Sequence, residues 1–299
     1  MPGKLGFYDL RLPETRQAQA ELAQTHGIEA FCYWHYWFGG KRLLERPFEE
    51  VLASGRPDFP FCLAWANETW SRRWLGEEKE ILLKQTYSPD DDRQHARWLA
   101  RAFADTRYFH VNGRPLFLIY RPRSLPDPRR TAETIRQECK RAGVADPLLL
   151  GINSYSDIDY RTLGFDGTVD FEPQFELLDN PMRDGVKIYD YVAARARMAS
   201  RQREHPVYPG IFVSWDNTPR RGDNGIVFSN CSPEHFEAGL RAIVQMTLAK
   251  PKQERLVFVN VWNEWAEGNH LEPDMKHGLR YLQAARRANL AVEDDKVRG

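Results

Sequence analysis

The feature that most limits the fold of this chain is a regular alternation of short apolar runs with helix-forming segments. Apolar runs rich in β-branched and aromatic residues predict strands buried on both faces. Strands that alternate with helices predict right-handed β-α-β units and a parallel sheet. The predicted strands span residues 28–33, 60–66, 115–120, 148–152, 168–171 and 210–213, and a seventh begins at residue 256. The predicted helices span residues 15–26, 43–54, 90–105, 131–142, 189–203, 233–250 and 273–288.

Seven predicted strands are one fewer than a closed barrel of parallel strands needs. The expected fold is α/β, a (β/α)8 TIM-like barrel whose first strand is lacking or atypical: either the domain is truncated, or residues 5–8 substitute poorly for that strand. The sheet should therefore be incompletely closed, or be filled by another chain. A doubly wound open sheet is the alternative, but no glycine-rich phosphate turn follows the first strand. No repeat or linker interrupts the alternation, so residues 1–299 are expected to form a single domain.

Composition excludes several classes of partner. The chain has 42 basic and 42 acidic residues, which gives no electrostatic case for nucleic acid. No stretch approaches the ~20 apolar residues of a membrane span, and the first residues lack an apolar signal region, so a cytoplasmic location is expected. The cysteines lack the spacing of zinc sites, so we expect reduced thiols with no metal and no cofactor. They are Cys32, Cys62, Cys139 and Cys231.

The stretch from residue 256 to Gly268 carries the strongest sign of chemistry. Its apolar start predicts a strand, which leads into Trp262, Asn263, Glu264, Trp265 and Glu267. Buried carboxylates are costly unless they meet a polar ligand or water, and barrel enzymes place their chemistry at the carboxyl ends of strands. An arbitrary pair of glutamates three residues apart is usually a surface feature. The surrounding tryptophans and asparagine favour a catalytic pair instead.

The other predicted strands also end in polar or aromatic residues. Each has an ordinary explanation by itself, such as a hydrogen-bonded core histidine, a helix cap or a core aromatic. Parallel strands of a barrel direct their carboxyl ends to one face. Together these residues should therefore line the opening of the barrel at that face, which is called the mouth below. Aromatic rings stack on sugar faces while amides and carboxylates bind hydroxyls, which predicts an oligosaccharide or polysaccharide substrate. The predicted substrate-binding residues are His35, Tyr36, Trp37, Trp65, Asn67, Glu68, Arg121, Glu172, Trp215, Asp216, Asn263 and Trp265, near Asn153, Tyr155 and Asn217.

Four segments carry a resemblance to a known family. Asn-Glu-Trp-Ala-Glu-Gly at 263–268, followed by Leu-Glu-Pro-Asp at 271–274, resembles the signature of the WbsX-like family. Segments 31–38, 61–68 and 214–223 are similar to the same family in the expected order, so the resemblance spans nearly the whole chain. Those proteins are associated with bacterial surface-polysaccharide loci and are related to glycoside hydrolase family 99. Members usually carry a further strand and a tryptophan-rich loop upstream of the segment that resembles residues 5–9.

The resemblance implies an enzyme that cleaves or transfers an α-linked, mannoside-like glycoside. By the match at 263–268, Glu264 would be the base on the sugar's own 2-hydroxyl, forming a 1,2-anhydro intermediate. Glu267 would then be the general acid/base. One alternative is a sugar-nucleotide-dependent glycosyltransferase of O-antigen or capsule biosynthesis. Asp157-Ile-Asp159 has the form of a metal-binding Asp-x-Asp motif, but turn and capping roles are common in such loops. The other alternative is a catalytically decayed glycan-binding protein.

Overall fold

The computed structural model describes residues 1–72, 77–154, 158–175, 178, 182–183, 185–201 and 203–297. Its centre is a curved parallel sheet with helices packed outside it, which confirms the predicted TIM-like α/β class. The helices are α1 (Pro13–Thr25), α2 (Arg46–Ser54), α3 (Pro89–Phe103), α4 (Pro128–Arg141), α5 (Tyr191–Ala199), α6 (Thr218–Arg221), α7 (Pro233–Thr247) and α8 (Arg280–Val297).

Seven predicted strands coincide with the parallel strands of the sheet, and the remaining strands are short. The parallel strands are β1 (Phe31–Phe38), β3 (Phe61–Trp65), β7 (Arg114–Ile119), β8 (Leu148–Asn153), β9 (Gly167–Asp170), β12 (Val207–Tyr208) with β13 (Gly210–Phe212), and β15 (Phe258–Asn260). The others are β2 (Lys41–Leu43), β4 (Trp70–Arg72), β5 (Glu77–Leu83), β6 (His110–Val111), β10 (Met182–Arg183), β11 (Val186–Asp190), β14 (Ile226–Ser229), β16 (Asn263–Glu264) and β17 (Asn269–His270).

The parallel strands follow one another around the barrel in chain order. β1 pairs with β3, β3 with β7, β7 with β8, and β8 with β9. β12 then pairs with β9, while β13, one residue further along the chain, pairs with β15. Because all these strands run the same way, their carboxyl ends lie on one face of the molecule.

The predicted gap in the sheet lies between β15 and β1. Within the described part of the chain, no strand pairs with both, and residues 1–12 contribute only an isolated bridge between Pro2 and Asp274. The rings of Phe31 and Trp262 meet across the gap with centroids 5.0 Å apart. Every residue of β15 and most residues of β1 are at least partly exposed, whereas every residue of β3 and β8 is buried. This gap is called the open seam below.

The longer helices follow the sequence pattern except for the last one, and the short α6 was not predicted. Ser88 caps α3 by accepting a hydrogen bond from the Asp91 amide at 3.1 Å, and the acidic first turn suits the positive end of the helix. The last helix spans Arg280–Val297 rather than the predicted 273–288. Pro273 lies in the loop before it, where its carbonyl accepts a backbone hydrogen bond from Gly3 at 2.8 Å. No helix of the described residues is long and apolar enough to cross a membrane.

Side chains on β1 alternate between the barrel interior and the surrounding helices, as the pleat of a strand requires. Trp34 faces the interior, where its ring lies 5.4 Å from that of Tyr120 and 5.9 Å from that of Phe171. Tyr33 faces outward, and its ring lies 5.4 Å from that of Phe48 in α2. This alternation determines which residues at the strand ends can reach the mouth.

Candidate active site

The two predicted catalytic glutamates lie together at the carboxyl end of the sheet. Glu264 ends β16, and Glu267 ends the single 3-10 turn that follows it. Arg220 of α6 contacts both, with Nη2 3.2 Å from Glu264 Oε1 and Nη1 3.8 Å from Glu267 Oε1. Their side chains are 41% and 28% exposed, respectively. Two partly exposed carboxylates that share one guanidinium can address the same bound molecule.

The two carboxyl groups have different environments. Burial and, to a smaller extent, the neighbouring charge of Glu264 raise the pKa of Glu267 to about 7, against the opposing charges of Arg220 and Arg221. A carboxyl group that is partly protonated near neutral pH is suited to donating a proton. Glu267 is therefore suited to the role of proton donor.

The turn that carries the glutamates is fixed to the loop after β13. The Asp216 amide donates to the Glu267 carbonyl at 2.8 Å, and Ser214 Oγ donates to the Gly268 carbonyl at 2.6 Å. Gly268 has φ +59°, and a Cβ there would lie only 3.1 Å from backbone atoms of Asp216. A glycine is needed at this position both for the backbone angle and for the close approach.

Glu272 organises the residues beside the pair, a role that the sequence did not predict. It is 3% exposed, and its carboxylate accepts hydrogen bonds from Gln19 Nε2 at 2.7 Å, Tyr8 OH at 2.8 Å and Trp265 Nε1 at 2.8 Å. Tyr8 OH in turn accepts from Asn263 Nδ2 at 3.1 Å. Glu272 thus holds Trp265 directly and Asn263 through Tyr8. Its place in the Leu-Glu-Pro-Asp segment was the only available signal in the sequence.

A second group of polar residues continues the rim from the carboxylate pair. Burial, with smaller contributions from the charges of Glu264 and Glu68, raises the pKa of Tyr36 to about 12. Glu68 lies 3.4 Å from Arg121 Nε. The Oδ1 atom of Asn67 accepts a hydrogen bond from the Arg121 amide at 2.7 Å. The Nδ2 atom of Asn67 donates a hydrogen bond to the Arg121 carbonyl at 2.9 Å. Asn67 is fully buried, so it positions Arg121 and does not line the mouth itself.

Three predicted substrate-binding residues face away from the mouth. His35, Trp37 and Trp65 point outward to α3 and are buried. His35 Nε2 lies 2.9 Å from His95 Nε2, the ring of Trp65 lies 4.5 Å from that of His95, and Trp37 Nε1 donates to Asp91 Oδ1 at 2.8 Å. Burial lowers the pKa of His35 to about 3, with a smaller effect from Arg42. The prediction of direct substrate contact is corrected for these three residues, because strand alternation sends them into the helical layer.

Glu172 requires the same correction. It is buried and forms an ion pair with Arg195 of α5, which is itself buried. Phe171, the residue before it, faces the barrel interior against Trp34. The ion pair with α5 shows that Glu172 faces the helical layer rather than the mouth.

Trp215 and Asp216 lie beside the two glutamates, and they differ in their exposure to solvent. The ring of Trp215 is half-buried and lies 5.3 Å from that of Phe175. Asp216 is exposed, and its Oδ1 accepts from the amide and hydroxyl of Thr218 at 3.0 and 2.6 Å. Asp216 thus orders the start of α6, the helix that supplies Arg220.

The predicted Asp-x-Asp segment is only partly described. Tyr155 and Asp157 lie outside the described residues. Asp159 accepts hydrogen bonds from the amide and guanidinium of Arg161, which lower its pKa to about 2. Asp159 therefore has a capping role. Across the described ranges, no three His, Cys, Asp or Glu side chains are grouped so as to hold a metal ion.

Parallel strands, outer helices and a carboxylate pair at the strand ends define a protein of the TIM-like barrel class. A solved structure described as a glycoside hydrolase-like protein matches with a TM-score of 0.66 at 15% identity, covering 96% of this chain and 88% of its own. The glycoside hydrolase family 99 endo-α-mannosidase from Bacteroides thetaiotaomicron matches with a TM-score of 0.62 at 14% identity, covering 99% and 84%. Structural similarity at such low sequence identity establishes the fold alone.

The chain belongs to the family described as Glycosyltransferase WbsX, whose model matches residues 1–285. This confirms the resemblance found in the sequence. The protein WxcX of Xanthomonas campestris pv. campestris, strain B100, is 40% identical over 305 residues, an alignment that covers 98% of this chain and 44% of WxcX. WxcX of strain ATCC 33913 gives the same values. The chain thus spans less than half the length of these curated relatives.

Proposed function

We propose that this chain is a carbohydrate-active enzyme that cleaves or transfers an α-linked, mannoside-like glycoside of a bacterial surface polysaccharide. The observation that carries the proposal is the sharing of Arg220 by Glu264 and Glu267 at the carboxyl end of the barrel, with a pKa of about 7 on Glu267. Family membership and the mannosidase named among the structural neighbours support the substrate class.

The proposed reaction divides the work between the two glutamates. Glu264 takes the proton of the sugar's 2-hydroxyl, whose oxygen attacks the anomeric carbon as the bond to the leaving oxygen breaks. Glu267 gives its proton to that leaving oxygen. Water or an acceptor hydroxyl then loses a proton to Glu267 and opens the anhydro ring, and Glu264 returns its proton to the 2-oxygen. Both glutamates end in their starting protonation states.

The surrounding residues fit a carbohydrate. Trp34, Tyr36, Tyr120 and Trp265 are half-buried aromatic residues at the mouth, so part of each can stack on a sugar ring. Aromatic faces combined with a few fixed polar groups are typical of specific binding sites for small molecules.

Two other functions have specific support. The description of the family favours a sugar-nucleotide-dependent glycosyltransferase. The open seam between β15 and β1 favours a catalytically decayed glycan-binding protein, because an incomplete barrel holds its mouth less rigidly.

A screen of α-linked oligosaccharides and nitrophenyl α-glycosides, with and without sugar nucleotides, separates the three functions. We expect turnover without a sugar nucleotide and in the presence of EDTA, because no metal site was predicted from the sequence. Turnover that needs a sugar nucleotide, and that manganese restores after EDTA, would establish the transferase. Glycan binding without turnover under any condition would establish the binding protein.

A further inference from the structure

Two cysteines lie side by side on the neighbouring strands β1 and β3. Cys32 and Cys62 are partners in the parallel register of these strands, and both are free thiols. Adjacent strands lie ~4.7–4.9 Å apart, and the side chains of paired residues project to the same face of the sheet. Disulfides join Cα atoms that are ~4.4–6.8 Å apart. The register therefore holds the two cysteines at a separation that a disulfide can span.

The two sulfur atoms also interact with each other. A side-chain hydrogen bond with Cys32 is the main reason why the pKa of the Cys62 thiol is raised well above its ordinary value, and burial raises it further. A hydrogen bond raises the pKa of a thiol when it favours the neutral form. Cys62 is therefore held as a protonated thiol beside the Cys32 sulfur.

The two thiols differ in their access to solvent. Cys62 is 3% exposed, whereas Cys32 is exposed. Cys32 lies two residues before Trp34, so the pleat of β1 directs it to the barrel interior, where a closed barrel is packed. Among the described residues, only β2 pairs with the other edge of β1, and only at residues 36–38. The open seam thus exposes Cys32, and a reagent from solvent meets it before Cys62.

An accessible thiol next to a second thiol is the arrangement that a peroxide oxidises in two steps. Hydrogen peroxide gives one oxygen to the Cys32 sulfur, which forms a sulfenic acid and one water. The Cys62 sulfur then attacks the Cys32 sulfur, so that the S–S bond forms and the S–O bond breaks. The hydroxyl group leaves with the Cys62 proton as a second water. The two thiols supply two electrons, which reduce the O–O bond of the peroxide.

The resulting disulfide would lie at the exposed edge of the sheet. Most residues of β1 are at least partly exposed, whereas every residue of β3 is buried. β1 also carries Trp34, whose ring packs against those of Tyr120 and Phe171 inside the barrel. A covalent bond to β3 would therefore attach an exposed strand that lines the barrel interior to a buried one.

We propose that Cys32 and Cys62 form a redox-sensitive modification site, at which a peroxide creates a cross-strand disulfide that fastens β1 to β3. The inference is independent of the proposed function, because neither thiol belongs to the candidate catalytic pair or to the residues that hold it.

Peptide mapping by mass spectrometry tests the pairing. The reduced full chain is treated with limiting hydrogen peroxide, its remaining thiols are alkylated, and it is digested without a reductant. We expect the Cys32 peptide to be linked to the Cys62 peptide in a product that dithiothreitol reverses. A link from Cys32 to any other cysteine, in the same chain or another, or no link at all, would overturn the inference.

Three variants test the order of the two steps. Cys62→Ser should stop the reaction at the sulfenic acid, so that dimedone, which traps that group, labels Cys32 more strongly than in the wild type. Cys32→Ser should give neither product, and it leaves the buried Cys62 in place should Cys62→Ser fail to fold. Cys231→Ser is the matched control at a half-buried cysteine, whose Sγ donates to the Phe228 carbonyl at 3.2 Å, and it should form the disulfide as the wild type does. Equal labelling of Cys32 in the wild type and Cys62→Ser would contradict the role of Cys62.

The thermal transition tests whether the disulfide fastens β1. A cross-link restricts the unfolded chain, so peroxide should raise the midpoint of the wild type by about 4 °C or more, and dithiothreitol should reverse the rise. The same treatment should leave the midpoint of Cys32→Ser unchanged. A disulfide that forms without raising the midpoint would overturn the stabilising role of the site.

Discussion

Arg220 is the residue placed to set the proton balance of the candidate active site. Its guanidinium lies between the two glutamates, and its charge opposes the rise in the pKa of Glu267. It was not among the predicted site residues, because its position depends on how α6 folds back over the turn after β16. The segment that contains it was recognised only through the family resemblance.

Replacing Arg220 with Gln should move the alkaline limb of the pH–activity profile to higher pH. Glu267 must be protonated to act as the acid, so activity falls as pH rises through its pKa of about 7. Removing a neighbouring positive charge favours the protonated form and raises that pKa. The measurement is kcat/KM as a function of pH. Arg220→Lys should keep the limb near its original position, and Arg130→Gln serves as the distant control.

A lower rate with no movement of the alkaline limb in Arg220→Gln would contradict this role. It would mean that Arg220 affects the rate only by holding the turn in place.

The strands show what a sequence pattern can and cannot predict about this site. Central strands of a parallel sheet are buried on both faces, so each appeared as an apolar run, and all seven were found. The direction of each polar residue beyond the run was not predicted. His35, Trp37 and Trp65 were assigned to the mouth, whereas strand alternation directs them to α3.

The candidate pair was predictable for a different reason. Glu264 and Glu267 lie within one short segment, so their proximity follows from local geometry. Tyr8 and Glu272 are far apart in the chain, and their contact exists only once the first residues pack beside the loop after β17. No local pattern encodes such a contact. The sequence therefore did not predict that Glu272 and Tyr8 hold Trp265 and Asn263 in place.

A substitution at Glu172 tests whether this residue stabilises the fold through its ion pair with Arg195 rather than binding substrate. Replacing it with Ala should lower the free energy of unfolding by about 3–5 kcal/mol, because the buried charge of Arg195 loses its partner. The measurement is urea denaturation followed by circular dichroism. The double variant Glu172→Ala/Arg195→Met should recover part of the loss, since it removes the unpaired charge.

Unchanged stability together with a raised KM would contradict this role for Glu172. That result would return the residue to the substrate-binding set.

At the scale of the whole molecule, the open seam distinguishes this barrel from a closed one. Cys32 of β1 is exposed, whereas Cys62, its neighbour in register on β3, is buried. A further strand in the seam, from any source, would cover the adjacent edge of β1. The exposure of Cys32 therefore reports whether the seam is open in solution.

The native protein should contain one rapidly reacting thiol, Cys32, when it is titrated with Ellman's reagent. Cys139 is buried and Cys231 half-buried, so both should react more slowly, as should Cys62. Cys32→Ser should abolish the rapid phase, and Cys231→Ser should leave it. If all four thiols react only after denaturation, the seam is covered, as expected if another chain fills it.

The pair of glutamates gives the most direct test of the proposed enzyme. On the best α-linked substrate from the screen, kcat and substrate affinity are measured for the wild type, Glu264→Gln and Glu267→Gln. We expect each substitution to lower kcat by ~10²–10⁴-fold while affinity changes by no more than a few-fold, because general acid–base groups act mainly in the transition state. A kcat within a few-fold of wild type in either variant would remove that glutamate from the mechanism and contradict catalysis by the pair.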